Sequence, residues 1–324
     1  MTATVAILFA SAVGVRMDPV PAHGSETVVA PPATSGFGTP RAIAVGPRGE
    51  VYIASPETGR VFELRADGEL QVIAGAAERI LPTGLAVDAA GNVYVSDPQA
   101  GYVYRIDATT RALTIMAGSG TVQGDEGQAS AARLVRPMGL AWTKKGELLI
   151  ADAGDHRVRR VDPDGRIHTV AGDGEPGDEG DGGPAVRARL SQPEAVAADG
   201  RGNIYIADRG NRRIRRVVSR KRTISTWPES GSFNPTALSV DNANCVWLAD
   251  PDNHRLMKID RQGYTVGTWS DAAAVPSAVA WDPGGGVLFA DAPRRLILRV
   301  TRGRAEVVAG NGATASAAAP QPRR

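Results

Sequence analysis

The chain has 324 residues, 42% of them hydrophobic, which is enough for a large core. Its 37 basic and 35 acidic residues leave a formal net charge of +2, so bulk charge gives no reason to expect nucleic acid or an anionic membrane as partner. The single cysteine, Cys245, excludes an internal disulfide framework.

The first segment, Thr2 to Val15 (TATVAILFASAVGV), is uncharged and mostly apolar. It is too short to cross a bilayer as a helix. It has the length of a signal-peptide core, and Ala22-His23-Gly24 offers a small-residue cleavage site, yet no Lys or Arg precedes it. Residues 1–25 are therefore read as either a signal peptide or a disordered leader, and export and a cytoplasmic location both stay open. No other stretch is apolar enough to be a transmembrane helix.

From residue 26 onward one phrase recurs six times. It opens at Pro40, Pro82, Pro137, Pro193, Pro235 and Pro276, with gaps of 42, 55, 56, 42 and 41 residues. The copies read PRAIAVGPRGEVYIAS, PTGLAVDAAGNVYVSD, PMGLAWTKKGELLIAD, PEAVAADGRGNIYIAD, PTALSVDNANCVWLAD and PSAVAWDPGGGVLFAD. Each unit predicts four short strands: a small-residue run after the Pro, an alternating β-branched and aromatic run before the Asp, a basic-apolar run such as RVRRVD, and a last run such as IHTVAG. The Gly or Asn turn between the first two fits a tight hairpin. One four-stranded antiparallel sheet per repeat of this length is the arithmetic of a propeller blade. The expected fold is all-β, a six-bladed β-propeller over residues 26–310, followed by a disordered, low-complexity tail at 311–324. Thr27-Val28-Val29-Ala30 and the run at 305–310 are rival candidates for the strand that closes the ring.

DNHRLMKID (Asp252 to Asp260), GDHRVRRVD (Gly154 to Asp162) and GDGGPAVRARLSQP (Gly180 to Pro193) resemble the NHL-repeat family, in its bacterial form. The likeness runs over nearly the whole chain. Blade 1 departs from it with Ser55 in place of Asp, and APRRLILRV in blade 6 lacks the Asn-His pair. The streptogramin and peptide-amidating lyases resemble the same repeat pattern, but depend on histidines converging at the central face. Here His23, His156, His168 and His254 are scattered.

The five aspartates that end the second strands, Asp97, Asp152, Asp208, Asp250 and Asp291, repeat blade after blade. That is the mark of a structural part, an acceptor for N–H groups of the following turn. His156 and His254 hold one slot in two blades and are read as turn-stabilising. Cys245 has no Cys partner and reads as core. Two features are not mere repetition. Insertions at 119–136 and 173–192 align with each other, each an acidic Gly-rich loop followed by a helical turn ending Ala-Arg-Leu, and both flank blade 3. They are expected to stand, with the turns between second and third strands, on one face. Deleting 174–187 is expected to spare the fold. Blade 4 also concentrates arginines, read mainly as partners of the acidic loops.

The expected function is a non-enzymatic scaffold presenting that face to a protein or peptide. The candidate binding residues are Asp155, His156, Arg157, Asp178, Glu179, Asp181, Arg209, Arg212, Arg213, Asp252, His254 and Arg255. No catalytic residue is assigned. The alternatives are a propeller-type lyase or hydrolase acting on a small molecule at the mouth of the central channel, and RNA binding. RNA would want aromatics for stacking, and only 5% of residues are aromatic. No cofactor is expected. The carboxylates at 173–181 could hold Ca2+, but their spacing is not that of an EF-hand. A monomer is expected.

Overall fold

The computed structural model describes residues 36–65, 68–121, 124–228 and 233–310. The expected leader, the tail and the strand candidate at 27–30 lie outside these residues.

Among the described residues twenty-four strands form six four-stranded antiparallel sheets, each built from consecutive strands. In blade 3 these are Pro137–Trp142, Leu148–Asp152, Arg157–Val161 and Ile167–Ala171. In blade 4 they are Pro193–Ala198, Ile204–Asp208, Arg213–Val218 and Thr223–Thr226. The six-bladed propeller expected from the repeat is the observed fold.

The first strands surround the axis, which explains their small residues. Gly139 lies so close to blade 4 that an added Cβ would sit 2.7 Å from the Ala195 backbone. The second strand was expected to alternate, but in blades 1, 2 and 3 every one of its residues is buried. Both faces of that strand pack against neighbouring blades, so neither face is left to solvent. The hydrophobic side chains accordingly divide into wedges between adjacent blades. One joins Leu149, Val158 and Ala171 of blade 3 to Val196, Ile206 and Val217 of blade 4. Another joins Ile43 and Ile53 of blade 1 to Ala278 and Leu288 of blade 6. That last wedge closes the ring. The C-terminal candidate, Arg304–Ala309, is the fourth strand of blade 6.

The two faces differ. Face A carries the turns from second to third strand and the connections between blades. Face B carries the turns from first to second and from third to fourth strand. The insertions do not rise from face A as loops. Each lies along the outer edge of the next blade as a strap. In the first, Glu126 N–H bonds Ile167 O at 2.7 Å and Ile167 N–H bonds Gly127 O at 3.0 Å. In the second, Gly182 N–H bonds Ile224 O at 2.8 Å and Ile224 N–H bonds Gly183 O at 3.1 Å. An outer strand offers a row of unpaired backbone groups, and the straps take up part of it. The second strap is therefore part of the fold, contrary to the expectation that it could be deleted freely.

Each strap is pinned by a buried arginine. Arg159 and Arg215 are 2% and 0% exposed, and they pair with Asp125 and Asp181 at 2.8 and 2.5 Å. Both arginines sit opposite the centre of the second strand, at Ile150 and Ile206. The same slot holds Phe62, Tyr104, Met257 and Leu298 in the unstrapped blades. Burial raises the Asp181 pKa, but Thr226 and Arg215 outweigh it and hold the carboxyl below its ordinary value. Asp125 is held down in the same way by Thr169 and Arg159.

Candidate functional site

The sequence-selected residues fall on face A or on the second strap, mostly over blades 3 to 5. The turn from second to third strand needs a left-handed residue at one slot, occupied around the ring by Gly59, Gly101, His156, Arg212, His254 and Arg295, with φ between 52 and 73°. A residue with a Cβ pays about 1 kcal/mol there, so a side chain in that slot has to do something. His156 accepts the Gln192 N–H at Nδ1 (3.1 Å), and His254 donates from Nδ1 to the Ala274 carbonyl (2.8 Å). Each ties its turn to the connection entering the next blade. Arg212 reaches toward Asp252 at 3.6 Å, and both are largely exposed.

The remaining candidates are drawn into pairs. Asp155 is buried against Arg157 at 2.7 Å, and Arg157 also donates to the Asp173 carbonyl. Arg255 bonds Asp250 at 2.9 Å. Asp178 meets Arg213 at 3.1 Å, and Glu179 meets Arg189 at 3.6 Å. Arg189 also lies 3.7 Å from Asp173. Asp173, Asp178, Glu179 and Asp181 thus face guanidinium groups, and of the blade 4 arginines expected to pair with this loop, Arg213 and Arg215 do so. Among the described residues no three His, Cys, Asp or Glu side chains gather as a metal site would need.

The repeated aspartates do accept backbone N–H groups, but chiefly from the preceding connection. Leu81 N–H bonds Asp97, Val135 and Arg136 N–H bond Asp152, Ser191 N–H bonds Asp208, and Asn234 N–H bonds Asp250. These residues come just before the Pro of the phrase, where no ladder partner exists. Among the described residues Asp97 alone also takes backbone N–H groups of the following turn, from Gln99 and Ala100. Burial pushes Asp152 and Asp208 up to about 6. Cys245 is half-buried, and burial pushes its thiol up, away from the reactive thiolate.

Sequence reasoning named the mouth of the central channel but not the residues that line it. In five blades the residue after the phrase Pro lines it: Arg41, Thr83, Met138, Glu194 and Thr236. Arg41 of blade 1 and Glu194 of blade 4 come from opposite sides of the ring and form a salt bridge across the axis. Arg209 pairs with the other Glu194 oxygen at 2.6 Å. Arg41 also donates to the Ser277 carbonyl at 3.3 Å. The space left in the channel is about 60 Å3. The signal was present: this position changes chemistry from blade to blade, while the strand residues that follow it stay small or apolar.

With the geometry in view, comparison with known proteins adds fold and local repeat likeness. No family model matches the chain. Over 106 residues it is 29% identical to NHL repeat-containing protein 2 of Gallus gallus, covering 32% of this chain and 14% of that protein. Over 94 residues it is 29% identical to the Arabidopsis thaliana protein SUPPRESSOR OF QUENCHING 1, chloroplastic, covering 29% of this chain and 9% of that one. The chain matches a small fraction of these relatives' length.

Among solved structures, it resembles a Xanthomonas campestris gluconolactonase (TM-score 0.63, 17% identity, 82% of this chain and 86% of that one). It also resembles a streptogramin B lyase (0.61, 14%, 84% of each) and a chain of a nidogen/laminin complex (0.59, 17%, 78% and 89%). The likeness is one of fold. Together with the local match to the NHL repeat-containing relative it supports a β-propeller family with NHL-type repeats, and it carries no activity across. No helix among the described residues is long and apolar enough to cross a membrane.

Proposed function

We propose that the protein is a non-enzymatic recognition module that seats a protein or peptide partner on face A, with acidic groups of the partner against its exposed arginines. The observation behind this reading is the bolted channel. A small-molecule site usually offers about 300–1,000 Å3, whereas the Arg41–Glu194 bridge leaves about 60 Å3. What remains at the mouth is a broad charged surface, with Arg136, Arg209 and Arg212 exposed over blades 3 and 4. Interfaces between proteins favour arginine, whose planar fork matches carboxylates.

Peptide display on the full chain tests it, with enriched peptides measured by fluorescence anisotropy. Acidic peptides should be enriched. They should lose about tenfold in affinity or more on Arg136→Glu/Arg209→Glu, because each reversed charge costs on the order of 1 kcal/mol at contact distance. Raising salt should weaken them further. Peptides indifferent to these substitutions would overturn the reading. So would a tightly bound metal together with chelator-sensitive turnover, which would favour the lyase or hydrolase alternative.

A further inference from the structure

A cavity of about 580 Å3 opens on face B between blades 3 and 4, on the side of the molecule away from the arginines just described. Its walls are the first turns of the two blades, Thr143–Glu147 and Asp199–Gly202, together with His168 to Val170, Val217 and Arg222. The straps complete it, the first with Asp125 and Glu126, the second with Pro184 and Val186.

The floor is apolar: Val170, Val186, Ile204 and Val217 line it. Val186 is 47% exposed, one of four large hydrophobic side chains so exposed among the described residues. The rim is cationic. Lys144, Lys145, Arg201 and Arg222 line the cavity, and among the described residues none has a carboxylate within 4.0 Å.

The acids present are largely engaged elsewhere. Asp125 is held by Arg159 and Thr169, and Glu147 faces Arg160 at 3.4 Å. Asp199 is turned inward, accepting from Arg201 N–H, Asn203 N–H, Asn203 Nδ2 and the Tyr205 hydroxyl. His168 is bonded to Asp162 at 3.0 Å. Glu126 is the exposed acid that remains, against four unpaired cations.

The fold does not call for these bases. The same turn reads DAAGN in blade 2, DNANC in blade 5 and DPGGG in blade 6, with no base; blade 1 has the single Arg48 in GPRGE and blade 4 the single Arg201 in DGRGN, and blade 3 alone has a pair, in TKKGE. Adjacent unpaired lysines repel one another and gain nothing from the turn. A dianion seated between them would relieve that repulsion, and lysine serves phosphate as a point charge without a fixed bidentate geometry.

We propose that this cleft binds a small organic phosphate, its dianionic headgroup among Lys144, Lys145, Arg201 and Arg222 and its apolar body on the valine floor. The volume falls in the range of ordinary ligand sites.

Calorimetric titration of the full chain at low ionic strength tests it, with 1-naphthyl phosphate as probe. It should bind saturably, and more tightly than 1-naphthoate, inorganic phosphate or 1-naphthol. Lys144→Glu/Lys145→Glu should weaken it by about tenfold or more, since two attractions become two repulsions. Both positions are exposed in a surface turn. Lys144→Gln/Lys145→Gln, which only removes charge, should give a smaller loss in the same direction and guards against a folding defect. Arg209→Glu on face A should leave binding unchanged. The proposal is overturned by absence of saturable binding, by inorganic phosphate or naphthoate matching the probe, or by affinity indifferent to both lysine pairs.

Discussion

Removing the carboxylate that pins the second strap should destabilise the protein through the arginine it leaves behind. Asp181→Ala deletes the partner of Arg215 Nη2 and the acceptor of the Thr226 N–H at 2.9 Å. A buried charge stripped of its counter-ion costs about 3–5 kcal/mol. Two facts lower that figure here. Arg215 keeps the Arg189 carbonyl at 3.1 Å and Asp208 at 3.6 Å, and Asp181 is itself 44% exposed. A loss of about 2–3 kcal/mol follows, a fall in melting temperature on the order of 5–10 °C.

The double variant Asp181→Ala/Arg215→Met should recover to within about 1 kcal/mol of wild type. Met257 fills the equivalent slot of blade 5, where no strap exists. Equilibrium urea unfolding followed by tryptophan fluorescence measures both, since Trp227 packs on Tyr205 within blade 4. A single variant within about 0.5 kcal/mol of wild type, or a double variant no better than the single, refutes the clasp as described.

Three further outcomes are expected. Burial raises Asp152 and Asp208 from 3.8 to about 6, so the stability tied to their protonated forms is full below pH 4 and lost as pH rises through 6. At about 3 kcal/mol for each group, the urea midpoint should be higher at pH 5 than at pH 7.5. Asp152→Asn/Asp208→Asn should flatten that slope, and an unchanged slope would assign it to other groups. His254→Gly should change stability by less than about 1 kcal/mol, because relief of left-handed strain offsets the lost bond to Ala274, whereas His254→Val should cost more. Deleting 174–187 should destabilise blade 4 and promote self-association, read by light scattering, because it uncovers Thr223–Thr226 and takes Asp181 away from Arg215.

The fold was legible because each copy of the phrase obeys the same packing rule. Pro, small residues, a glycine turn, β-branched residues and Asp recur wherever a blade recurs. What escaped the sequence is what crosses between repeats. Arg41 and Glu194 are 153 residues apart, and only ring geometry sets them face to face. The straps were misplaced for a similar reason: an insertion's length says that it is extra, not which edge will accept its N–H groups. Arg159 and Arg215 were hidden among exposed arginines, since a β-strand reading gives the side a residue faces but not what will cover it. The alternation expected in the second strand failed because a blade has no solvent face.

The closed ring has one property of its own. Among the described residues each blade is built from consecutive strands, and no strand is exchanged where blade 6 meets blade 1. Phe37 and Ala309, near the two ends of the described chain, share one hydrophobic cluster at that seam. The circle therefore has no privileged starting point. A permuted chain, with 310 linked to 36 and opened in any other connection between blades, would carry the same six wedges in the same order around the axis.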